Sequence, residues 1–135
     1  MFYEVTSKRT VIDLKGRDKE IAEKYLFENI MFFAEAEQRA YEMFNNENNV
    51  IAIKQCKIME FVNKRTDEEQ SIYYATIESL FIDETTGEEK ATKYVVGLFA
   101  KSVDEANTIV NNYMKQGLSD LTLVGIKRTK IVDLL

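Results

Sequence analysis

Histidine and proline are absent from this 135-residue chain, and cysteine occurs once, at Cys56. Without histidine the chain cannot build a Ser-His-Asp triad, a histidine-activated cysteine nucleophile or an imidazole-ligated zinc site. A single cysteine also excludes an internal disulfide and a thiolate metal cluster. These absences remove the commonest hydrolase and metal chemistries, and the lone cysteine favours a reducing, cytoplasmic setting.

Glycine-rich loops and long apolar runs are missing as well. The five glycines are separated from one another, so neither the GxGxxG nor the GxxxxGK[ST] phosphate-binding pattern occurs. No stretch approaches the roughly 18 consecutive apolar residues of a membrane helix, and the N-terminal MFYEVTSKRT lacks the regions of a secretory signal. We therefore expect a cytoplasmic protein without membrane association, and the sequence indicates no cofactor.

Composition and charge are those of a soluble globular protein. Hydrophobic residues make up 45% and charged residues 30% of the chain, well away from the composition of disordered proteins. At this length we expect a single domain, 1–135, with a sizeable core. The net charge of −5 argues against nucleic-acid binding over the whole surface, since that binding relies on Lys and Arg, but a local basic strip remains compatible with it.

An internal repeat is the main feature that the chain does contain. Residues 51–62, IAIKQCKIMEFV, and residues 124–135, VGIKRTKIVDLL, are two versions of one segment. Their alignment places Lys54 opposite Lys127 and Lys57 opposite Lys130. A duplication of this kind suggests a fold built from two similar halves.

The repeat extends over nearly the whole chain. We align the opening MFYE with IYYA, which places Tyr3 opposite Tyr74, and Gly16 matches Gly87, each among polar residues that are typical of a hairpin turn. FAEAEQRAYEMF and VDEANTIVNNYM share apolar residues at i, i+3, i+7, i+10 and i+11, the spacing of an amphipathic helix. Both copies therefore have the order strand, hairpin turn, strand, helix, strand.

This pattern predicts an α+β fold of two tandem ββαβ repeats related by a pseudo-twofold axis, with an antiparallel-rich sheet and two helices packed on it. Repeat one covers about residues 1–62, a polar linker covers 63–70, and repeat two covers 71–135. The predicted strands are Phe2–Ile12, Ile21–Ile30, Val50–Val62, Ile72–Ile82, Ala91–Phe99 and Leu121–Leu134, and the predicted helices are Phe33–Asn45 and Val103–Gln116. Ser102 and Glu105 form a capping box at the start of the second helix.

Basic residues concentrate in the repeated segment, and aromatic residues concentrate in the first strand of each copy. The candidate nucleic-acid-binding residues are Lys54, Lys57, Lys127, Arg128, Lys130, Tyr3, Tyr73 and Tyr74. Single-strand binders combine positive charge along the backbone with aromatic rings on which bases stack. Alternatively, the lysines form a solvated strand face or protect a sheet edge from aggregation. Strand alternation weakens a shared site, because it places Lys54 and Lys57 on opposite faces unless a bulge intervenes.

Other candidate chemistries have simpler structural explanations. The acidic turns DETTGEE and TDEEQ lack the regular oxygen-ligand spacing of a calcium loop, and we interpret them as solvated turns without a metal. Cys56 has no histidine to activate it and is expected to be buried in a strand. The chain has 23 carboxylates, but sequence alone identifies no catalytic pair. We therefore predict no catalytic residues and no enzymatic activity.

The aromatic-led first strand, the Gly-centred hairpin, EAE at the start of the first helix and the terminal IKxxKIxD resemble an uncharacterised family of short proteins. This family is a domain of unknown function from Bacteroidetes and their bacteriophages. The resemblance covers nearly all of the chain, although MFYE stands where the family pattern has a tryptophan-led start. It implies a small intracellular protein, in the host cytoplasm if a phage encodes it, and it supplies no catalytic residues.

Two functions fit these observations. The first is a small, non-enzymatic, phage-type protein that binds single-stranded nucleic acid or a nucleotide through its basic strands, as a monomer or a small homo-oligomer. The alternative is a protein–protein interaction module, for example one that inhibits a host factor. Nucleic-acid binding predicts a steep salt dependence carried by the lysines. A protein-interaction module instead needs an exposed apolar patch or sheet edge.

Overall fold

Eight strands and two helices form in the described part of the chain, which is residues 1–44, 49–117 and 120–135 of a computed structural model. In chain order they are β1 (Phe2–Ile12), β2 (Asp18–Phe27), α1 (Phe33–Met43), β3 (Val50–Cys56), β4 (Ile58–Phe61), β5 (Ser71–Ile82), β6 (Glu89–Ala100), α2 (Val103–Lys115), β7 (Asp120–Arg128) and β8 (Ile131–Leu134). The predicted α+β class is confirmed, and the strands form two four-stranded, mostly antiparallel sheets.

The first compact unit comprises Met1–Cys56 and Lys130–Leu135. Its sheet has the order β3-β1-β2-β8, with antiparallel pairs except for β2 and β8, which run parallel. Because side chains alternate along a strand, Tyr3 and Val5 lie on one face. They are buried there with Ala36 and Ala40 of α1, so the apolar stripe predicted for this helix faces the sheet.

The second compact unit comprises Lys57–Thr129. Its sheet has the order β4-β6-β5-β7, and only β4 and β6 run parallel. Ala75, Ile77 and Val96 face Ala106 and Val110 of α2 in a core that is closed to solvent. We call the opposite side of this sheet, which α2 does not cover, the outer face of the second unit.

Each repeated segment forms two strands instead of the single long strand that was predicted. In the first copy, β3 ends at Cys56 and pairs with β1, whereas β4 begins at Ile58 and pairs with β6 of the second unit. In the second copy, β7 pairs with β5, whereas β8 pairs with β2 of the first unit. The two copies therefore exchange their last short strands, which gives the repeated segment its structural role in both sheets.

The strand register corrects our alignment of the first strands. Tyr3 pairs with Phe27 and Tyr73 pairs with Leu98, and both tyrosines lie on the helix-covered face of their sheets. Tyr3 is therefore equivalent to Tyr73 and not to Tyr74. The first hairpin connection has five residues, 13–17, and the second has six, 83–88, which accounts for the change of offset within each repeat.

The hairpin turns and the second helix cap agree with the sequence predictions. Gly16 and Gly87 have φ angles of 73° and 72°, the left-handed conformation that glycine adopts without strain. The Ser102 hydroxyl accepts a hydrogen bond from the backbone N–H of Glu105 at 3.2 Å. The described part of α1 ends at Met43 with Phe44 as its C-cap; the predicted end, Asn45, lies outside the described residues.

The predicted linker, residues 63–70, is a hydrogen-bonded loop of the second unit. The side-chain amide of Asn63 donates to the carbonyl of Phe99 and accepts from its N–H, both at 2.8 Å. The buried side chain of Gln70 accepts from the backbone N–H groups of Thr66 and Asp67. The loop thus continues the pairing of β4 along β6 through a side chain.

Candidate functional site

The five predicted basic residues are all exposed. Lys54 lies on β3 and Lys127 and Arg128 lie on β7, and these strands stand at the ends of the two sheet orders. Lys57 and Lys130 lie in the short connections that lead from β3 to β4 and from β7 to β8. Lysine on a terminal strand also fits the alternative interpretation, in which the charge discourages edge-to-edge aggregation.

Two of the three predicted stacking residues are core residues. Tyr3 and Tyr73 are only 4% and 3% exposed, and each packs in the hydrophobic core beneath a helix. A base cannot stack on a ring whose faces are already covered by protein side chains. These two tyrosines are therefore removed from the predicted site, whereas Tyr74 is half-buried on the outer face.

Strand alternation divides the predicted basic strip of β7. Arg128 pairs with Tyr73, whose side chain is on the helix-covered face, whereas Lys127 pairs with Tyr74. Directly opposed residues of an antiparallel pair project to the same face. Lys127 and Tyr74 consequently share the outer face of the second unit, and Arg128 does not contribute to it.

Lys127 and Tyr74 end a row of side chains that crosses the whole second sheet. Phe61 on β4 pairs with Gly97 on β6, Gly97 pairs with Tyr74 on β5, and Tyr74 pairs with Lys127 on β7. Gly97 has no side chain, and the ring of Phe61 occupies the space that a Cβ would fill. The row therefore runs from one aromatic ring across a glycine to a second aromatic ring and a cation.

A neighbouring row supplies the rest of a pocket. Val95 pairs with Thr76, and Thr76 pairs with Gly125, two residues along each strand from the first row and therefore on the same face. A Cβ on Gly125 would meet no heavy atom within 4 Å, so the glycine leaves open space beside Tyr74. The resulting pocket measures about 310 Å³ and is lined by Tyr74, Thr76, Val95, Gly125, Ile126 and Lys127. We call it the Tyr74–Lys127 pocket.

In the first unit, the position equivalent to the Tyr74–Lys127 pair holds different side chains. Lys54 is opposite Glu4, whose carboxylate also forms an ion pair with Lys24 at 3.2 Å. The thiol of Cys56 approaches the same carboxylate at 3.7 Å, and partial burial together with this negative charge raises the pKa of Cys56. A raised pKa keeps the thiol protonated and unreactive near neutral pH. The repeated segment therefore does not produce two equivalent basic sites.

Sequence reasoning identified Tyr74 and Lys127 but missed the residues that make a pocket between them. Thr76, Val95 and Ile126 carry no charge pattern or motif that distinguishes them from other strand residues. Gly125 had a usable signal, because a glycine inside a strand often marks a bulge or a close approach of another group. The register of β7 indeed shifts beside it, between Thr76 and Ile77.

Within residues 1–44, 49–117 and 120–135, no group of three or more acidic or cysteine side chains could hold a metal ion. Neither of the two described helices has the length and apolar character needed to cross a membrane.

Comparison with known proteins shows the family of the chain. A family model described as "Domain of unknown function (DUF4494)" matches residues 1–135. This agrees with the predicted resemblance to an uncharacterised family. No curated protein and no solved structure matches the chain.

Proposed function

The chain belongs to this family of unknown function, and from that premise we propose that it is a non-enzymatic binding protein for a nucleotide, either free or within a single-stranded nucleic acid. The proposed binding site is the Tyr74–Lys127 pocket. The observation that carries the proposal is the direct cross-strand pairing of Tyr74 with Lys127 beside the open space at Gly125.

The pocket offers both contacts that a nucleotide needs. The half-buried ring of Tyr74 and the apolar side chain of Val95 provide surface for a base, and base–aromatic stacking contributes about 1–3 kcal/mol. The exposed ammonium group of Lys127 provides a positive charge for a phosphate. A volume of about 310 Å³ lies at the lower end of the range for small-molecule sites, about 300–1,000 Å³.

Charge limits the length of nucleic acid that the site engages. The chain carries a net charge of −5, and Lys127 is the basic residue among those that line the pocket. Contact with one or two phosphates of a single strand gives a slope of about −0.7 to −1.4 in a plot of log K against log salt. We therefore expect a local contact with one or two nucleotides.

Fluorescence anisotropy with labelled single-stranded and double-stranded oligonucleotides, at low and moderate salt, tests the proposal. We expect single-strand binding that Lys127→Glu weakens about tenfold, equivalent to about 1.4 kcal/mol, and that Tyr74→Leu weakens by a similar factor. Lys54→Glu is the matched control, because it makes the same charge change at the equivalent position of the first unit. Its affinity should stay within about twofold of the parent.

Two results would contradict the nucleotide site. Equal losses in Lys127→Glu and Lys54→Glu would indicate a general effect of net charge and not a contact in the pocket. Binding that is absent at low salt, both for the oligonucleotides and for a labelled free nucleotide, would exclude the function altogether.

A protein-interaction module is the second candidate, and one surface of the first unit favours it. Met31, Phe32 and Phe33 precede and begin α1 and are 68%, 68% and 50% exposed. Methionine and aromatic residues are common at protein-binding surfaces, and exposed apolar clusters often mark them. If this candidate is correct, Phe32→Ser removes a partner from pull-downs while Lys127→Glu retains it.

The proposed setting follows from the resemblance to short phage and bacterial proteins. We propose a cytoplasmic protein, in the host cell if a phage encodes it, which acts by binding as a monomer or small homo-oligomer. Fractionation of expressing cells and light scattering of the purified protein test the compartment and the oligomeric state.

A further inference from the structure

Both units have a pocket beside the C-terminal end of their helix. The pocket of the first unit measures about 410 Å³ and includes Arg9, Glu23, Tyr25 and Met43. The pocket of the second unit also measures about 410 Å³ and includes Met59, Ser79, Tyr94, Tyr113 and Leu121. We call the latter the helix-end pocket; it is distinct from the Tyr74–Lys127 pocket on the outer face.

The architecture explains why a pocket recurs at this place. α1 and α2 have 11 and 13 residues, which correspond to about 16–20 Å at 1.5 Å per residue. The central strands β1 and β5 have 11 and 12 residues, or about 36–40 Å at 3.3 Å per residue. A helix of this length cannot cover such strands, so the sheet continues past it and leaves a recess.

Two charged side chains of the first pocket, Arg9 and Glu23, are paired with each other. The guanidinium of Arg9 forms an ion pair with the carboxylate of Glu23. The hydroxyl of Tyr25 donates a hydrogen bond of 3.1 Å to the same carboxylate. Arg9, Glu23 and Tyr25 thus have polar partners within the protein.

The second copy replaces the ion pair with aromatic groups. With the offset of 70 in the first strand and helix and 71 in the second strand, Ser79 takes the place of Arg9, and Tyr94 takes the place of Glu23. Tyr113 on α2 takes the place of Met43 on α1. The helix-end pocket is therefore lined by two tyrosines and the apolar side chains of Met59 and Leu121, together with Ser79, Gln116 and Gly117.

A carboxylate lies beside these tyrosines. The hydroxyl of Tyr113 donates a hydrogen bond of 2.5 Å to Glu60 of β4, and the hydroxyl of Tyr94 is close enough to interact with that of Tyr113. Among the described residues, no Lys or Arg forms an ion pair with Glu60. Two tyrosines line this recess, and beside Tyr113 lies a carboxylate that has no basic partner in the described part of the chain.

We propose that the helix-end pocket binds an organic cation, an alkylammonium group. A tyrosine ring attracts a cation through its negative face, with a contribution of about 0.5–2 kcal/mol that grows as water is excluded. Glu60 supplies the counter-charge, and Met59 and Leu121 supply apolar contacts for the alkyl groups. The same chemistry occurs in free amines and in lysine side chains.

Titration with choline, spermidine and a short lysine-containing peptide, followed by amide NMR shifts, tests this proposal and separates the sources. We expect saturable shifts at Met59, Ser79 and Gly117 with at least one of these cations. The neutral isostere 3,3-dimethyl-1-butanol has the shape of choline without its charge, and it should bind at least about tenfold more weakly.

Glu60→Gln is the decisive variant, because glutamine still accepts the Tyr113 hydrogen bond but carries no charge. We expect Glu60→Gln to weaken cation binding about tenfold. Glu68 is an exposed glutamate of the same unit, and the control variant Glu68→Gln should leave the affinity unchanged. Tyr94→Leu should weaken binding similarly while the fold persists by circular dichroism. The proposal is overturned if the neutral isostere binds as tightly as the tightest-binding cation, if no cation shifts these resonances, or if Glu60→Gln binds that cation as tightly as the parent.

Discussion

The ring of Phe61 on β4 lies directly over Gly97 of β6, where an added Cβ would come within 2.6 Å of the ring. Phe61 also packs against Phe99 with 5.4 Å between ring centroids, and the guanidinium of Arg65 lies 5.0 Å from the centroid of Phe99. These contacts, on the outer face of the second unit, help to hold the short strand β4 against β6. They also place the ring of Phe61 in the same cross-strand row as Tyr74.

Gly97→Ala should destabilise the protein, because the new methyl group overlaps the Phe61 ring. Overpacking of this kind costs about 1–3 kcal/mol, measurable as a lower urea midpoint. Gly125→Ala is the matched control, since a Cβ there meets no atom within 4 Å; its stability should be unchanged or raised by up to about 1 kcal/mol. Equal stability of the two variants would contradict the close contact between Phe61 and Gly97.

The strand exchange predicts which sheet is destabilised by each of two substitutions, Ile131→Ala and Ile58→Ala. Ile131 of β8 is buried against the first sheet and Ile58 of β4 against the second, and each isoleucine-to-alanine change should cost about 2–5 kcal/mol. Hydrogen exchange should show faster amides in β2 for Ile131→Ala, although residue 131 belongs to the second copy and β2 to the first. For Ile58→Ala the faster amides should lie in β6.

The two isoleucine variants control for each other, because both remove the same atoms from equivalent parallel strands. Faster exchange in β7 and β5 for Ile131→Ala, with β2 unchanged, would contradict the assignment of β8 to the first sheet.

Asn63→Asp should weaken the loop that follows β4. Aspartate can still accept from the Phe99 N–H, but it cannot donate to the carbonyl of Phe99, and its second carboxylate oxygen would repel that carbonyl oxygen. The loss of one hydrogen bond and the unsatisfied carbonyl together cost about 1–3 kcal/mol. Asn112→Asp, on the exposed side of α2, is the control and should change the free energy of unfolding by no more than about 0.5 kcal/mol. If Asn63→Asp leaves the free energy of unfolding unchanged, the loop is held by other contacts.

Tyr113 should make stability sensitive to alkaline pH. Burial, and then the hydrogen bond to Glu60, raise the pKa of Tyr113 above the value of about 10 for an unfolded tyrosine. Above pH 10 the unfolded chain therefore releases this proton before the folded chain does, and the stability that neutral Tyr113 contributes is lost as the pH rises further. Below pH 10 that contribution is fully present.

Thermal unfolding between pH 8 and pH 11 measures this effect. The melting temperature of the parent should fall more steeply above pH 10 than that of Tyr113→Phe, which has no phenolic proton to lose. Parallel curves for the two proteins would contradict a raised pKa at Tyr113.

Local sequence patterns were enough to predict the elements of each repeat. The apolar stripe of α2, the Ser102 cap and the left-handed turn glycines depend on neighbours within a few residues, and all of them appear in the structure. The break in the middle of each repeated segment was harder to predict. A strand that changes sheets at Lys57 has the same alternation of side chains as one that continues, so its sequence alone predicted a single strand.

The candidate site shows the same contrast between what the sequence predicts and what depends on the tertiary structure. Sequence alone identified Tyr74 and Lys127 by residue type, but it also proposed Tyr3 and Tyr73, which the hydrophobic core buries. Whether a strand tyrosine faces the core or the outer face depends on register, and a shift of one residue reverses every side chain.

The sequence by itself determined the α+β class, the duplication and the absence of histidine and disulfide chemistry, because composition and local periodicity require no knowledge of distant contacts. Only the tertiary structure decided that the two copies exchange their last strands and that Lys127 meets Tyr74 whereas Lys54 meets Glu4. These pairings join residues that are between 36 and 108 positions apart in the chain. The physical reason is that the burial of side chains on one face selects the register of each strand, and this selection is a property of the whole sheet.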